Sequence, residues 1–129
     1  MIENHINTAQ GGEEDDYVWV TLHFVSSETE NDRIHIVCPT TDEEEGEPGR
    51  NALYFERLHQ AQGGSGLARL IRVTSSAVEL EFTPEGLRQL EFPDSLRLRW
   101  SPAVEGYQLA RQHFAGMLKH GFRGILETA

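Results

Sequence analysis

From Tyr17 to Phe24 the chain alternates without a break. Val18, Val20, Leu22 and Phe24 hold one phase, and Tyr17, Trp19, Thr21 and His23 hold the other. Successive side chains of an extended chain point to opposite faces, so this stretch reads as a strand with one buried face. The pattern returns at Ile34, Ile36 and Cys38 after the polar turn Ser26 to Asn31. Residues 17–25 and 32–38 therefore read as a hairpin, closed by Pro39. His23 and His35 share its outer face, where the turn could set them opposite each other. Two imidazoles can hold a metal, but no third ligand stands at a fixed spacing, so the pair reads as solvated surface histidines.

The centre of the sheet is expected between Leu53 and Phe82. A strand over about Ala52 to Leu58 leads into Gly63-Gly64-Ser65-Gly66, read as a loop supplying positive φ angles. Leu67 to Thr74 and Val78 to Phe82 follow as strands, and Leu96 to Trp100 makes a sixth. Glu79 and Glu81 are expected to face Arg97 and Arg99 across the outer surface. Thr83 followed by Pro84 predicts an N-cap and a short helix through about Leu90. Ser101-Pro102 predicts the start of one long helix with Ala103, Tyr107, Ala110, Phe114, Met117, Leu118 and Gly121 on a single stripe and Leu109 opposite. Residues 1–16 lack periodicity and read as a flexible acidic arm. The expected fold is α+β: residues 17–129 form one domain, an antiparallel meander of about six strands with a long C-terminal helix packed on one face.

Charge narrows the function classes. The 129 residues carry a net charge of −10, and residues 1–50 hold thirteen Asp and Glu against Arg33 and Arg50. Phosphate contacts dominate nucleic-acid binding, and so acidic a half would repel nucleic acid or an anionic membrane. It permits a basic protein partner. The single cysteine excludes an internal disulfide framework and fits a reducing, cytoplasmic setting, with neither signal peptide nor membrane span evident in the sequence.

No catalytic constellation emerges. Gly63-Gly64-Ser65-Gly66 has neither the spacing of a nucleophile elbow nor a following helix to cradle phosphate. Cys38 lies on an inward phase and reads as a small core residue. The run Asp42, Glu43, Glu44, Glu45, Gly46, Glu47 lacks the alternating oxygen ligands of a calcium loop. Tyr17, Trp19 and Tyr54 beside acidic loops suit a protein interface, since aromatic side chains anchor and charges steer.

From Ala52 onward the chain resembles the immunity proteins of bacterial polymorphic-toxin systems, specifically immunity protein family 10. The resemblance rests on Tyr54-Phe55-Glu56-Arg57, Gln60 and Gln62 before Gly63-Gly64, the strands Leu70 to Val73 and Val78 to Phe82, the Pro84-Glu85-Gly86 turn, Leu96 to Trp100, and the closing helix with Phe114 and Leu118. It implies a non-enzymatic cytoplasmic protein, without cofactor or metal, that neutralises a cognate toxin by binding it. Tyr54, Glu56, Arg57 and the acidic residues Asp42, Glu43, Glu44, Glu45 and Glu47 would then lie near the interface, as monomer or homodimer. The competing expectation is a ligand-binding or enzymatic domain using the sheet face that the helix leaves open. A third is a homodimeric scaffold pairing edge strands.

Overall fold

The stretch expected to be a mobile arm is the strand that joins the sheet together. The computed structural model describes residues 1–40, 53–58, 61–118 and 126–128. Strand β1 (Ile2–Glu13) is followed by β2 (Tyr17–Phe24), β3 (Asp32–Pro39), β4 (Tyr54–Glu56), β5 (Gly63–Ser65), β6 (Ala68–Val73) and β7 (Ala77–Phe82). Helix α1 (Pro84–Leu90), β8 (Leu96–Arg99), helix α2 (Tyr107–Leu118) and β9 (Leu126–Thr128) complete the order. The nine strands form one sheet in the order β5-β4-β3-β2-β1-β8-β7-β6-β9.

This corrects the expected six-stranded antiparallel meander with one long helix. The sheet is mixed, because β1 runs parallel to β8 and β6 runs parallel to β9. It is also not a meander, since β8 separates β1 from β7. β1 belongs to both halves. Its first residues pair with Leu96 to Arg99, and from Ile6 onward it pairs with β2, with a register shift between Ile6 and Thr8. Such irregularities bend a strand. In a flat sheet β4 and β7, five positions apart, would lie about 24 Å from each other. Yet the rings of Phe55 on β4 and Phe82 on β7 meet at 6.3 Å. The sheet therefore curls over itself, and its inner faces close a single core that includes Val20, Leu22, Ile34, Ile36, Ile71, Leu80 and Leu98.

Both helices are short. At α1 the Thr83 hydroxyl accepts from the Gly86 N–H at 3.0 Å, with Pro84 opening the helix, as its sequence predicts. α2 begins later than Ser101. Its expected first turn instead pairs with β1, where the Ala9 N–H donates to the Glu105 carbonyl at 2.8 Å. Gly106 then turns the chain with φ +84°, and a Cβ there would overlap the Ala9 carbonyl. From Tyr107 to Met117 the stripe behaves as expected, while Gly121 lies outside the described residues. Tyr107, Ala110, Phe114 and Met117 are buried, and Leu109 is exposed. Trp100 packs edge-on against Tyr107 and Phe114, and its indole N–H donates to the Thr74 carbonyl at 2.9 Å.

No described helix is long and apolar enough to cross a membrane.

Candidate functional site

Strands β1 to β5 direct Val18, Val20, Leu22, Ile34, Ile36 and Phe55 into the core, so the opposite phase must form an outer face. That face carries Tyr17, Trp19, Thr21 and His23 from β2, Arg33, His35 and Val37 from β3, and Tyr54 and Glu56 from β4. Side-chain contacts fix much of it. The Trp19 and His35 rings lie 5.7 Å apart, and His35 Nδ1 hydrogen-bonds the Thr21 hydroxyl at 2.6 Å. Glu56 accepts from Tyr54 at 2.9 Å and from Arg33 at 3.2 Å. Burial and then the Glu56 carboxylate raise the Tyr54 pKa, so Tyr54 remains a hydroxyl donor.

The two histidines are diagonal neighbours and do not face each other. Thr21 lies opposite His35, while His23 lies opposite Arg33 and hydrogen-bonds Gln10 at 3.0 Å. Burial, and after it the Arg33 cation, lower the pKa of both; Glu56 opposes this only at His35. Among the described residues no three His, Cys, Asp or Glu side chains converge as metal ligands. Cys38 is enclosed in the core, where burial pushes its thiol to about 12 and disfavours the nucleophilic thiolate.

One end of the face is acidic. The β1–β2 turn exposes Glu13, Glu14, Asp15 and Asp16, and the Asp16 carbonyl accepts from the Thr40 N–H at 2.9 Å. Asp42, Glu43, Glu44, Glu45 and Glu47 lie outside the described residues.

Of the expected interface residues, Tyr54 and Glu56 do share the outer face. Arg57, one residue on, points inward and is 1% exposed. Its guanidinium meets Asp32 through Nε at 3.0 Å and Nη2 at 2.7 Å, donates to the carbonyls of Leu90 and Glu91, and reaches Glu28 at 2.9 Å. These contacts occupy all five donors of an arginine, so the side chain is engaged within the chain and is not presented on the outer face. Burial works to lower its pKa, but hydrogen bonds and charge from Asp32 and Glu28 outweigh it and raise the value, so the cation persists. The ring of Phe92 lies 3.8 Å beneath the guanidinium carbon. Glu91 adopts the left-handed conformation, φ 59°, which caps α1 and presents its carbonyl to Arg57 at 2.6 Å.

The Asp32–Arg57 pair is what sequence reasoning overlooked, although a signal was present. Asp32 shares the phase of Ile34 and Ile36, and Arg57 shares that of Leu53 and Phe55, so alternation alone puts both charges inside. The glycine-rich segment was also misread. Gly63 to Ser65 form β5 beside β4, and within the segment only Gly66 takes a positive φ, 69°.

The chain matches no protein-family model, no curated protein and no solved structure.

Proposed function

We propose that this chain acts by gripping another protein, and that its partner is a basic toxin or toxin domain, which makes it an immunity protein of the cytoplasm. The observation that carries the reading is the outer face of β1 to β5, where Tyr17, Trp19, His35 and Tyr54 stand beside the exposed acidic turn Glu13 to Asp16. Half-buried rings held by their neighbours lose little freedom on binding and supply much contact area. Unpaired carboxylates at the rim draw a cationic partner and raise its rate of encounter. The net charge of −10 acts in the same direction, and the resemblance of residues from Ala52 onward narrows the partner from any basic protein to a toxin.

The test is to sequence the neighbouring reading frames and, where one encodes a secreted protein, to co-express its C-terminal domain with this chain. Cells should survive with the native protein and lose protection when Trp19→Ala and charge-neutralised 13–16 variants replace it. Full toxicity in the presence of abundant, folded native protein would falsify the reading.

A further inference from the structure

Where the two halves of the sheet meet, β1, the β2–β3 turn and the segment after α1 line a small cleft with about 20 Å³ of enclosed space. Its lining includes the apolar Ile2, Phe92 and Leu96 and the polar Ser26, Glu28 and Arg57. Arg57 lies at its base. Four of its five donors have fixed acceptors: two on Asp32, itself fully buried, and two on the backbone carbonyls that end α1. The fifth is different. It meets Glu28, whose side chain is 53% exposed on the turn between β2 and β3.

Asp32 already balances the arginine charge, so Glu28 is a second anion at a position that one carboxylate satisfies. Glu28 holds this donor from the solvent side, with its own carboxylate half exposed and screened by water. With Glu28 seated, the enclosed part of the cleft holds little more than a water molecule, so anything that binds must take its place. The geometry points to a carboxylate-binding site occupied by the protein's own side chain: a monocarboxylate with a short apolar stem displaces Glu28, accepts the freed Nη2–H of Arg57 and lays its stem on Ile2, Phe92 and Leu96. A monoanion restores the charge that Glu28 leaves behind. A phosphate dianion would bring an additional negative charge close to Asp32, which disfavours it. The chemistry is shared by free carboxylic acids and by the C-terminus of a peptide.

The experiment follows the Arg57 Nε–H and Phe92 ring signals by NMR in the native chain and in Glu28→Ala, which removes the carboxylate that competes for Arg57. The probes are 3-phenylpropionate, N-acetyl-leucine as a peptide end, and inorganic phosphate. Either acid should give saturable shifts at both signals, binding Glu28→Ala about five-fold more tightly than the native chain once the competing ion pair is gone. Preference for N-acetyl-leucine would assign the site to a peptide end, and preference for the free acid to a small molecule. No saturable shift in Glu28→Ala, equal affinity in the two proteins, or phosphate binding as well as the acids would each overturn the proposal. A retained Arg57–Asp32 signal shows that the variant is folded.

Discussion

The two outer faces of this sheet are built from the same strand geometry and reach opposite chemical ends. On the half formed by β1, β8, β7, β6 and β9, charges alternate across all five strands in register: Glu3, Arg97, Glu79, Arg72, Glu127. Each neighbouring pair is an ion pair, at 4.0, 2.7, 3.2 and 3.3 Å in turn. Arg99 adds a second contact to Glu3 at 3.0 Å, and Arg69 meets Glu81 at 3.4 Å. On the half formed by β1 to β5, rings and hydroxyls fill most of the corresponding positions beside one ion pair, Arg33 with Glu56, and the exposed acids of the 13–16 turn gather at one end. A face whose charges are matched within the chain has little left to attract a partner. A face with half-buried rings and an acidic margin has much. The distribution of charge between the two halves, more than the net charge, is what directs the functional reading to β1 to β5.

The contrast exists only while both halves belong to one sheet, and the largest effect should come from breaking the clasp between them. Arg57→Met leaves Asp32 charged and buried without its partner, and should cost about 3–5 kcal/mol in urea unfolding. Retention of native stability would mean that Arg57 does not hold β3 to the end of α1. Next comes the comparison itself. If the proposed partner is bound through this face, Trp19→Ala should weaken that binding by about 2 kcal/mol or more, roughly 30-fold in Kd by calorimetry, whereas Arg97→Ala on the other face should leave Kd nearly unchanged. Equal losses from the two would erase the distinction drawn here.

Smaller effects test the charge ladder. Glu79→Gln removes the centre of the row and should cost about 0.5–1 kcal/mol at low salt, with the difference from the native chain shrinking in high salt. The smallest test is pH. His23 and His35 have folded pKa values below the ordinary 6.5, so protonation favours the unfolded chain. Their contribution is fully present above 6.5 and is lost as pH falls through the lower folded values. The urea midpoint should therefore drop on acidification, and His35→Gln should flatten part of that slope; an unchanged slope would remove His35 as a cause.

Sequence alternation exposed β2, β3, β6, β7 and β8 because one face of each is apolar and the other is not. It failed at β1 for a physical reason. Where α2 approaches, the strand uses Ala9 and Gly11 on its inner phase, and a Cβ on Gly11 would press into the His113 ring. Small residues permit close packing but register as no hydrophobic signal. The shift near Ile6 also breaks the phase between Ile2 and Ala9. The Glu79–Arg97 pairing was readable, but the actual partners of Arg99 and Glu81 were not, because Glu3 had been assigned to an arm and Arg69 to no partner. At the candidate interface, Trp19, Tyr54 and Glu56 could be placed by phase. Arg57 was misjudged because a charge was assumed to be external, against the alternation that puts it inside.

The parallel pairing of β1 with β8 also sets the order in which this chain can mature. β1 precedes the other described strands and has one of its two neighbours among residues 96–99, so Ile2 to His5 lack their strand partner until that later segment is in place. The hairpin of β2 and β3 can form early from local contacts, but the curled sheet can close only late. Slow acquisition of structure, followed by cooperative closure around β1, is the kinetic signature this topology imposes.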